Sequence, residues 1–178
     1  PKRPLTAIVG GAKVGDKITL IDHILDKVDS LLIGGGMVST FLKALGHEIG
    51  ASLVELDKLD LAKELMLKAE KTKANLVLPV DLIVSENFEK YAATAIAPVN
   101  RIPRTGYTMD IGPKTVAAFS KILRNSETIL WNGPVGVFEF PKFSKGTKDI
   151  ACLLAQLDAI TIIGGGSTAE AVATMGLV

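Results

Sequence analysis

Leu5-Thr6-Ala7-Ile8-Val9-Gly10-Gly11-Ala12-Lys13 runs from an apolar, β-branched segment straight into paired glycines. A run of this length and composition reads as a buried strand, and the glycines close it. From Lys13 to Val28 the apolar residues fall at Val14, Ile18, Ile21, Leu25 and Val28, with charges between them. That spacing predicts a helix with one face turned to a core. The unit strand, glycine cluster, helix then recurs. Ser30–Ile33 ends on Gly34-Gly35-Gly36 and leads into Met37–Leu45. Ala159–Ile163 ends on Gly164-Gly165-Gly166 and leads into Ser167–Thr174.

The intervening chain follows the same grammar. Helices are predicted over Asp57–Glu70, Pro113–Leu123 and Phe143–Leu157, and strands over Asn75–Val80 and Thr128–Trp131. Gly46 and Gly176 read as helix stops. Asp81–Gly106 is less regular and reads as an edge excursion of short strands and loops. Strands that are apolar throughout, alternating with helices, indicate a parallel sheet covered on both faces. The expected class is α/β, a Rossmann-like three-layer αβα sandwich with a mostly parallel sheet, in one domain over residues 1–178.

Composition narrows the options. Of 178 residues 48% are hydrophobic and 22% charged, a folded composition and not a disordered one. A net charge of +1 argues against a dedicated nucleic-acid binder. The single cysteine, Cys152, excludes an intrachain disulfide framework and reads as a buried thiol on a helix. No apolar run nears the ~18 residues that a membrane span requires. The expectation is a monomer in the cytoplasm, without membrane or nucleic-acid partners.

In an open parallel sheet, ligands bind beyond the carboxyl ends of the strands. All three glycine clusters stand there. Glycine lets a ligand approach the backbone, and the following helix offers free N–H groups to a phosphate. Lys13 and Lys17, four apart, are expected on one face of the first helix. Lysines are disfavoured at that end unless an anion compensates them; the plain alternative is two solvated lysines, one paired with Asp16 or Asp22. The stretch is no Walker A loop, because Asp16 precedes Lys17 and no Ser or Thr follows. Gly164–Ala169 fits G-x-G-x-x-A, which keeps a dinucleotide-binding oxidoreductase domain open as an alternative. In Trp131–Glu139, Val135 and Val137 could face a flat apolar ligand, and Glu139 could accept from ribose hydroxyls; the alternative is a turn with core valines. Asp110, before Gly112-Pro113, reads as the cap of the helix that follows. His23 and His47 are scattered, and no His/Cys/Asp/Glu set has zinc spacing. A third possibility is an interaction module that keeps only the fold.

Taken in order, Gly10-Gly11-Ala12-Lys13-Val14-Gly15-Asp16-Lys17-Ile18, Ile33-Gly34-Gly35-Gly36-Met37, Leu78-Pro79-Val80-Asp81, Met109-Asp110-Ile111-Gly112-Pro113, Trp131-Asn132-Gly133-Pro134-Val135-Gly136-Val137-Phe138-Glu139 and Ile162-Ile163-Gly164-Gly165-Gly166 resemble the nucleotide lobe of phosphoglycerate kinases. The resemblance covers essentially the whole chain.

It implies a carboxyl-terminal lobe that binds ADP or ATP with magnesium, in an enzyme moving a phosphoryl group between 1,3-bisphosphoglycerate and ADP. The amino-terminal lobe for 3-phosphoglycerate and the carboxyl-terminal tail would be absent, so binding without turnover is expected. Lys13 and Gly166 would be catalytic. Gly11, Ala12, Gly34, Met109, Asn132, Pro134 and Val137 would line the nucleoside site, with Glu139 on the ribose. Lys17, Gly165, Gly166, Ser167 and Thr168 would hold the phosphates. Two features depart from the family pattern. Ser167 stands where the family usually has the aspartate that meets magnesium–nucleotide, so the expected metal set from protein is none. Arg104–Thr108 is one residue shorter than usual.

Overall fold

A computed structural model describes residues 1–174, without the side chains of Ser167, Ala171 and Thr174. The main sheet holds β1 (Leu5–Val9), β2 (Ser30–Ile33), β3 (Asn75–Val77), β7 (Thr128–Asn132) and β8 (Ile160–Gly164), all parallel, in the order β3-β2-β1-β7-β8. Its helices are α1 (Val14–Leu25), α2 (Val38–Ala44), α3 (Leu59–Thr72), α4 (Pro113–Arg124), α5 (Lys145–Gln156) and α6 (Gly166–Thr174). The three-layer α/β class expected from the alternation is the class observed.

The layers follow from which side of each strand meets which helices. Leu5, Ala7, Val9, Leu31 and Ile33 share a core with Ile21 and Leu25 of α1, Phe41 of α2 and Leu65 of α3. Ile8, Leu32, Ile129 and Trp131 turn to the opposite face and pack with Phe119 and Leu123 of α4 and Ile150 and Leu154 of α5. Trp131 and Phe119 have no exposed surface, and truncating such a residue to Ala costs roughly 3–5 kcal/mol. β8 departs from the all-buried expectation. It stands at the sheet margin with Ile160, Ile162 and Ile163 exposed.

The irregular stretch is a second, antiparallel sheet of β4 (Asp81–Ser85), β5 (Thr94–Pro98) and β6 (Tyr107–Ile111), in the order β5-β4-β6. The expected strand over 75–80 therefore stops at Val77, and Asp81 begins a different strand. The expected helix from Asp57 starts as a 3-10 turn (Leu56–Lys58) and becomes α-helical at Leu59. Gly46 does end its helix: its φ is +90°, and its N–H donates to Lys43 O at 2.9 Å. Gly176 lies outside the described residues. Cys152 is only half-buried on α5, not sealed in the core.

The expected role of Asp110 is overturned. Asp110 does not cap α4. It lies on β6, buried, and its carboxylate accepts from the N–H of Gly146 at 2.8 Å, in the first turn of α5, and of Ile111 at 2.9 Å. The α4 cap is Asp81, distant in sequence, which accepts from Lys114 N–H at 3.0 Å and Thr115 N–H at 2.8 Å. Asp110 is near α4 in sequence, but β6 carries it past and points it at α5.

Candidate functional site

Strand order reverses between β1 and β7, and a crevice forms at such a switch point. Here it is a cleft of about 480 Å³ along the carboxyl ends of the main sheet, closed on one side by β6. Backbone hydrogen bonds stitch its loops together. Gly10 N–H donates to Asn132 O at 2.9 Å, Gly11 N–H to Pro134 O at 3.2 Å, Gly35 N–H to Val135 O at 3.1 Å and Met37 N–H to Gly11 O at 3.1 Å. A Cβ on Gly10 would run into the Pro134 and Gly133 carbonyls. The glycines after β1 and β2 thus let the Trp131–Glu139 loop lie directly on the strand ends.

Gly11, Ala12, Lys17, Met109, Pro134, Val137, Glu139, Gly165, Gly166 and Thr168 line the cleft. Val135 lines it too and is 1% exposed, so it is both core and wall. Glu139 stands exposed at the rim. Thr168 accepts from Gly133 N–H and ties α6 to the loop after β7.

Three residues expected in the lining are elsewhere. Gly34 lies beneath Val135, where a Cβ would sit 2.6 Å from Val135 Cγ1; it shapes the wall without forming it. Asn132 acts through its neighbour, because Lys17 Nζ donates to Asn132 Oδ1 at 2.6 Å. Lys13 is outside the lining. It is the residue before α1, extended at φ −131° and exposed, so it does not share a helical face with Lys17. Asp22 pairs with Lys68 at 2.9 Å and not with either lysine. The side chain of Ser167 lies outside what the structure describes.

Sequence reasoning missed part of the wall. Leu53, Phe88, Tyr107, Ser39, Ser52 and Thr108 all line the cleft. Phe88 packs edge-on to Tyr107 and Phe140, with ring centroids 6.2 and 5.8 Å apart. A lone aromatic in the polar run Glu86-Asn87-Phe88-Glu89-Lys90 was a usable signal, since exposed aromatics favour binding surfaces.

Electrostatically the cleft has two ends. Lys17 supplies a cation at the β7–β8 end, where Gly165 and Gly166 present bare backbone at the start of α6. The other end is apolar and hydroxyl-lined. Burial pushes the Asp110 carboxyl up to about 7, against the pull of its two N–H donors; Asp149 adds to the rise and Lys145 opposes it. Magnesium prefers carboxylate and phosphate oxygen. Among the described residues no group of three or more His, Cys, Asp or Glu gathers. The carboxylates lining the cleft are Asp110, whose oxygens already serve α5 and β6, and Glu139 at the rim. The described residues do not fit a protein-held magnesium ion.

The fold and cleft define a doubly wound α/β protein with a ligand crevice at its switch point, cationic at one end and apolar at the other. The family model described as Phosphoglycerate kinase matches residues 1–178, and the chain belongs to that family. It is similar to the solved phosphoglycerate kinase of Coxiella burnetii, with 42% identity and a TM-score of 0.96 over 99% of this chain and 46% of that one. It is also similar to that of Pyrococcus horikoshii OT3, with 25% identity and a TM-score of 0.81, covering 97% of this chain and 44% of that one. The chain thus spans a little under half the length of these relatives.

Proposed function

We propose that this chain is the nucleotide-binding lobe of a phosphoglycerate kinase and takes ADP or ATP in the cleft at the β1–β7 switch point. The observation that carries the reading is Lys17, fixed by Asn132 at one end of a cleft whose other end is apolar. A diphosphate fits the cationic end, where the first N–H groups of α6 add a partial positive charge. A nucleoside fits between Val135, Val137 and Met109, with Glu139 at the ribose. Membership of the family supports the same assignment.

In this reading the whole enzyme moves a phosphoryl group between 1,3-bisphosphoglycerate and ADP. That chemistry depends on positioning and charge neutralisation and needs no acid–base pair. Lys17 holds phosphate oxygens, Gly165 and Gly166 let the chain close on them, and Lys13 stands near the transferred group. Magnesium travels with the nucleotide, held by phosphate and water. 3-Phosphoglycerate is contacted by the other lobe, so this lobe binds nucleotide without turning it over, since orientation of both reactants supplies much of the rate. A cytoplasmic monomer is the expected setting. Among the described residues no helix is long and apolar enough to cross a membrane.

Titration calorimetry tests the proposal. ADP should bind with and without magnesium and should raise the melting temperature. NADH should do no better than its ADP portion allows, which tests the dinucleotide alternative. No binding of ADP in either condition would leave a module that keeps only the fold. Turnover at the rate of a complete enzyme, free of contaminating kinase, would overturn the non-turnover expectation.

A further inference from the structure

At the end of the cleft away from Lys17, three hydroxyl side chains meet: Ser39 on α2, Ser52 in the loop before the 3-10 turn, and Thr108 on β6. Ser52 Oγ accepts from Thr108 N–H at 3.0 Å and donates to Thr108 Oγ1 at 3.1 Å. Ser39 Oγ and Thr108 Oγ1 are 3.2 Å apart, and either can donate. Ser39 is buried, while Ser52 and Thr108 are half-buried.

The cluster has three hydroxyl protons and two contacts between hydroxyls, and each contact consumes one proton. Ser52 gives its proton to Thr108. The Ser39–Thr108 contact uses one of the remaining two. One O–H is therefore left over, on Ser39 if Thr108 donates and on Thr108 if Ser39 donates. Among the described residues no other acceptor takes it. Ser39, Ser52 and Thr108 all belong to the cleft wall. In the first arrangement the bonds run Ser52 to Thr108 to Ser39, a chain in which each bond polarises the next.

We propose that this surplus proton reads the base of the bound nucleotide, donating one hydrogen bond to an unprotonated ring nitrogen of a purine. The inference rests on the nucleotide reading of the cleft. The apolar wall of Val135, Met109 and Leu53 supplies contact area to any flat base but fixes no register. A few placed polar groups are what give such pockets orientation and specificity. A purine whose facing edge offers an acceptor satisfies the idle O–H, and a base lacking one leaves it unpaired in a half-buried wall.

Calorimetry with ring-edited ligands tests this on the unaltered chain, using ADP and its 1-deaza, 3-deaza and 7-deaza analogues. One analogue should bind about three- to tenfold more weakly than ADP, the range of one neutral hydrogen bond. The triple variant Ser39→Ala/Ser52→Ala/Thr108→Val removes both possible donors together with the Ser52 O–H, which Thr108→Val would leave without its acceptor. It should lose the same factor for ADP and nothing further for that analogue. Ser39→Ala alone locates the donor: it lowers affinity by the full factor if Ser39 reads the base and by less if Thr108 does. If the unaltered chain binds ADP and all three analogues alike, or if the folded triple variant binds ADP as the unaltered chain does, the proposal is overturned while the nucleotide reading stands. If the unaltered chain binds no ADP, both fall.

Discussion

Lys17 Nζ and Asn132 Oδ1 lie 2.6 Å apart, joining the first turns of α1 to the end of β7 across the β1–β7 junction. A flexible lysine is thereby held in one orientation before any ligand arrives. The loss of side-chain entropy that a free lysine would suffer on binding is largely incurred during folding instead.

Lys17→Met should weaken ADP binding by about tenfold or more, because a charged hydrogen bond is worth roughly 1.5–3 kcal/mol. Asn132→Ala leaves the ammonium in place but unoriented and should cost about two- to fivefold, since entropy alone is at stake. Calorimetry on both variants checks the order. Equal affinity for Lys17→Met and the unaltered chain would return Lys17 to a solvated role.

Asp110 should set the pH dependence of stability. Its folded value of about 7 exceeds the ordinary 3.8, so between these limits the folded chain holds a proton that the unfolded chain has lost. Its contribution is complete below about pH 4 and fades as pH rises to about 7, on the order of 4 kcal/mol over roughly three units. Asp29 acts outside this window: the Leu5 N–H, helped by Arg3, lowers its carboxyl, so its contribution is complete above about pH 4 and is lost on further acidification. Urea unfolding at pH 4.5 and 7.5 should show the chain weaker at 7.5, and Asp110→Asn should flatten that slope. An unchanged slope in the variant would show that Asp110 is not the titrating group.

Asp81→Ala should destabilise the fold by about 2–3 kcal/mol, the range for a buried, charge-assisted cap. It leaves Lys114 N–H and Thr115 N–H without their acceptor, while Thr115 Oγ1–H keeps the Asp81 backbone carbonyl. ADP affinity should hardly move, because Asp81 does not line the cleft. A loss of affinity larger than the loss of stability would contradict this.

Two glycines should separate folding from binding. Gly10→Ala would place a methyl against the Pro134 and Gly133 carbonyls and should cost about 3 kcal/mol or more. Gly166→Ala meets nothing within 4 Å and should fold normally, yet it lies in the cleft lining and should weaken ADP. Thermal melts and ADP titration on the pair read both effects.

The parallel sheet was legible because each core strand is a short apolar run closed by a glycine or a polar break, as in Leu5–Val9 and Ser30–Ile33. β6 was not. Tyr107-Thr108-Met109-Asp110-Ile111 mixes polar and apolar residues, and the Gly112-Pro113 signal beyond it drew Asp110 toward the wrong helix. The Asp81 cap and the wall from Ser52, Leu53 and Phe88 depend on contacts between segments far apart in sequence, which periodicity does not encode. Lys17 was legible as a phosphate candidate, but its anchor on Asn132 was not.

Asp110 also constrains which other residues the chain can accept. A Cβ at Gly136 or at Gly146 would meet its carboxylate first, with the Phe143 carbonyl and the Ile111 side chain as the next obstacles respectively. The three form an epistatic set. While Asp110 is present, alanine at either glycine is a clash. Once residue 110 is shortened, the nearest obstacle disappears and the same alanine costs less, although the Phe143 carbonyl and Ile111 still crowd it. Substitution order therefore matters, and a change at either glycine costs most while Asp110 is present.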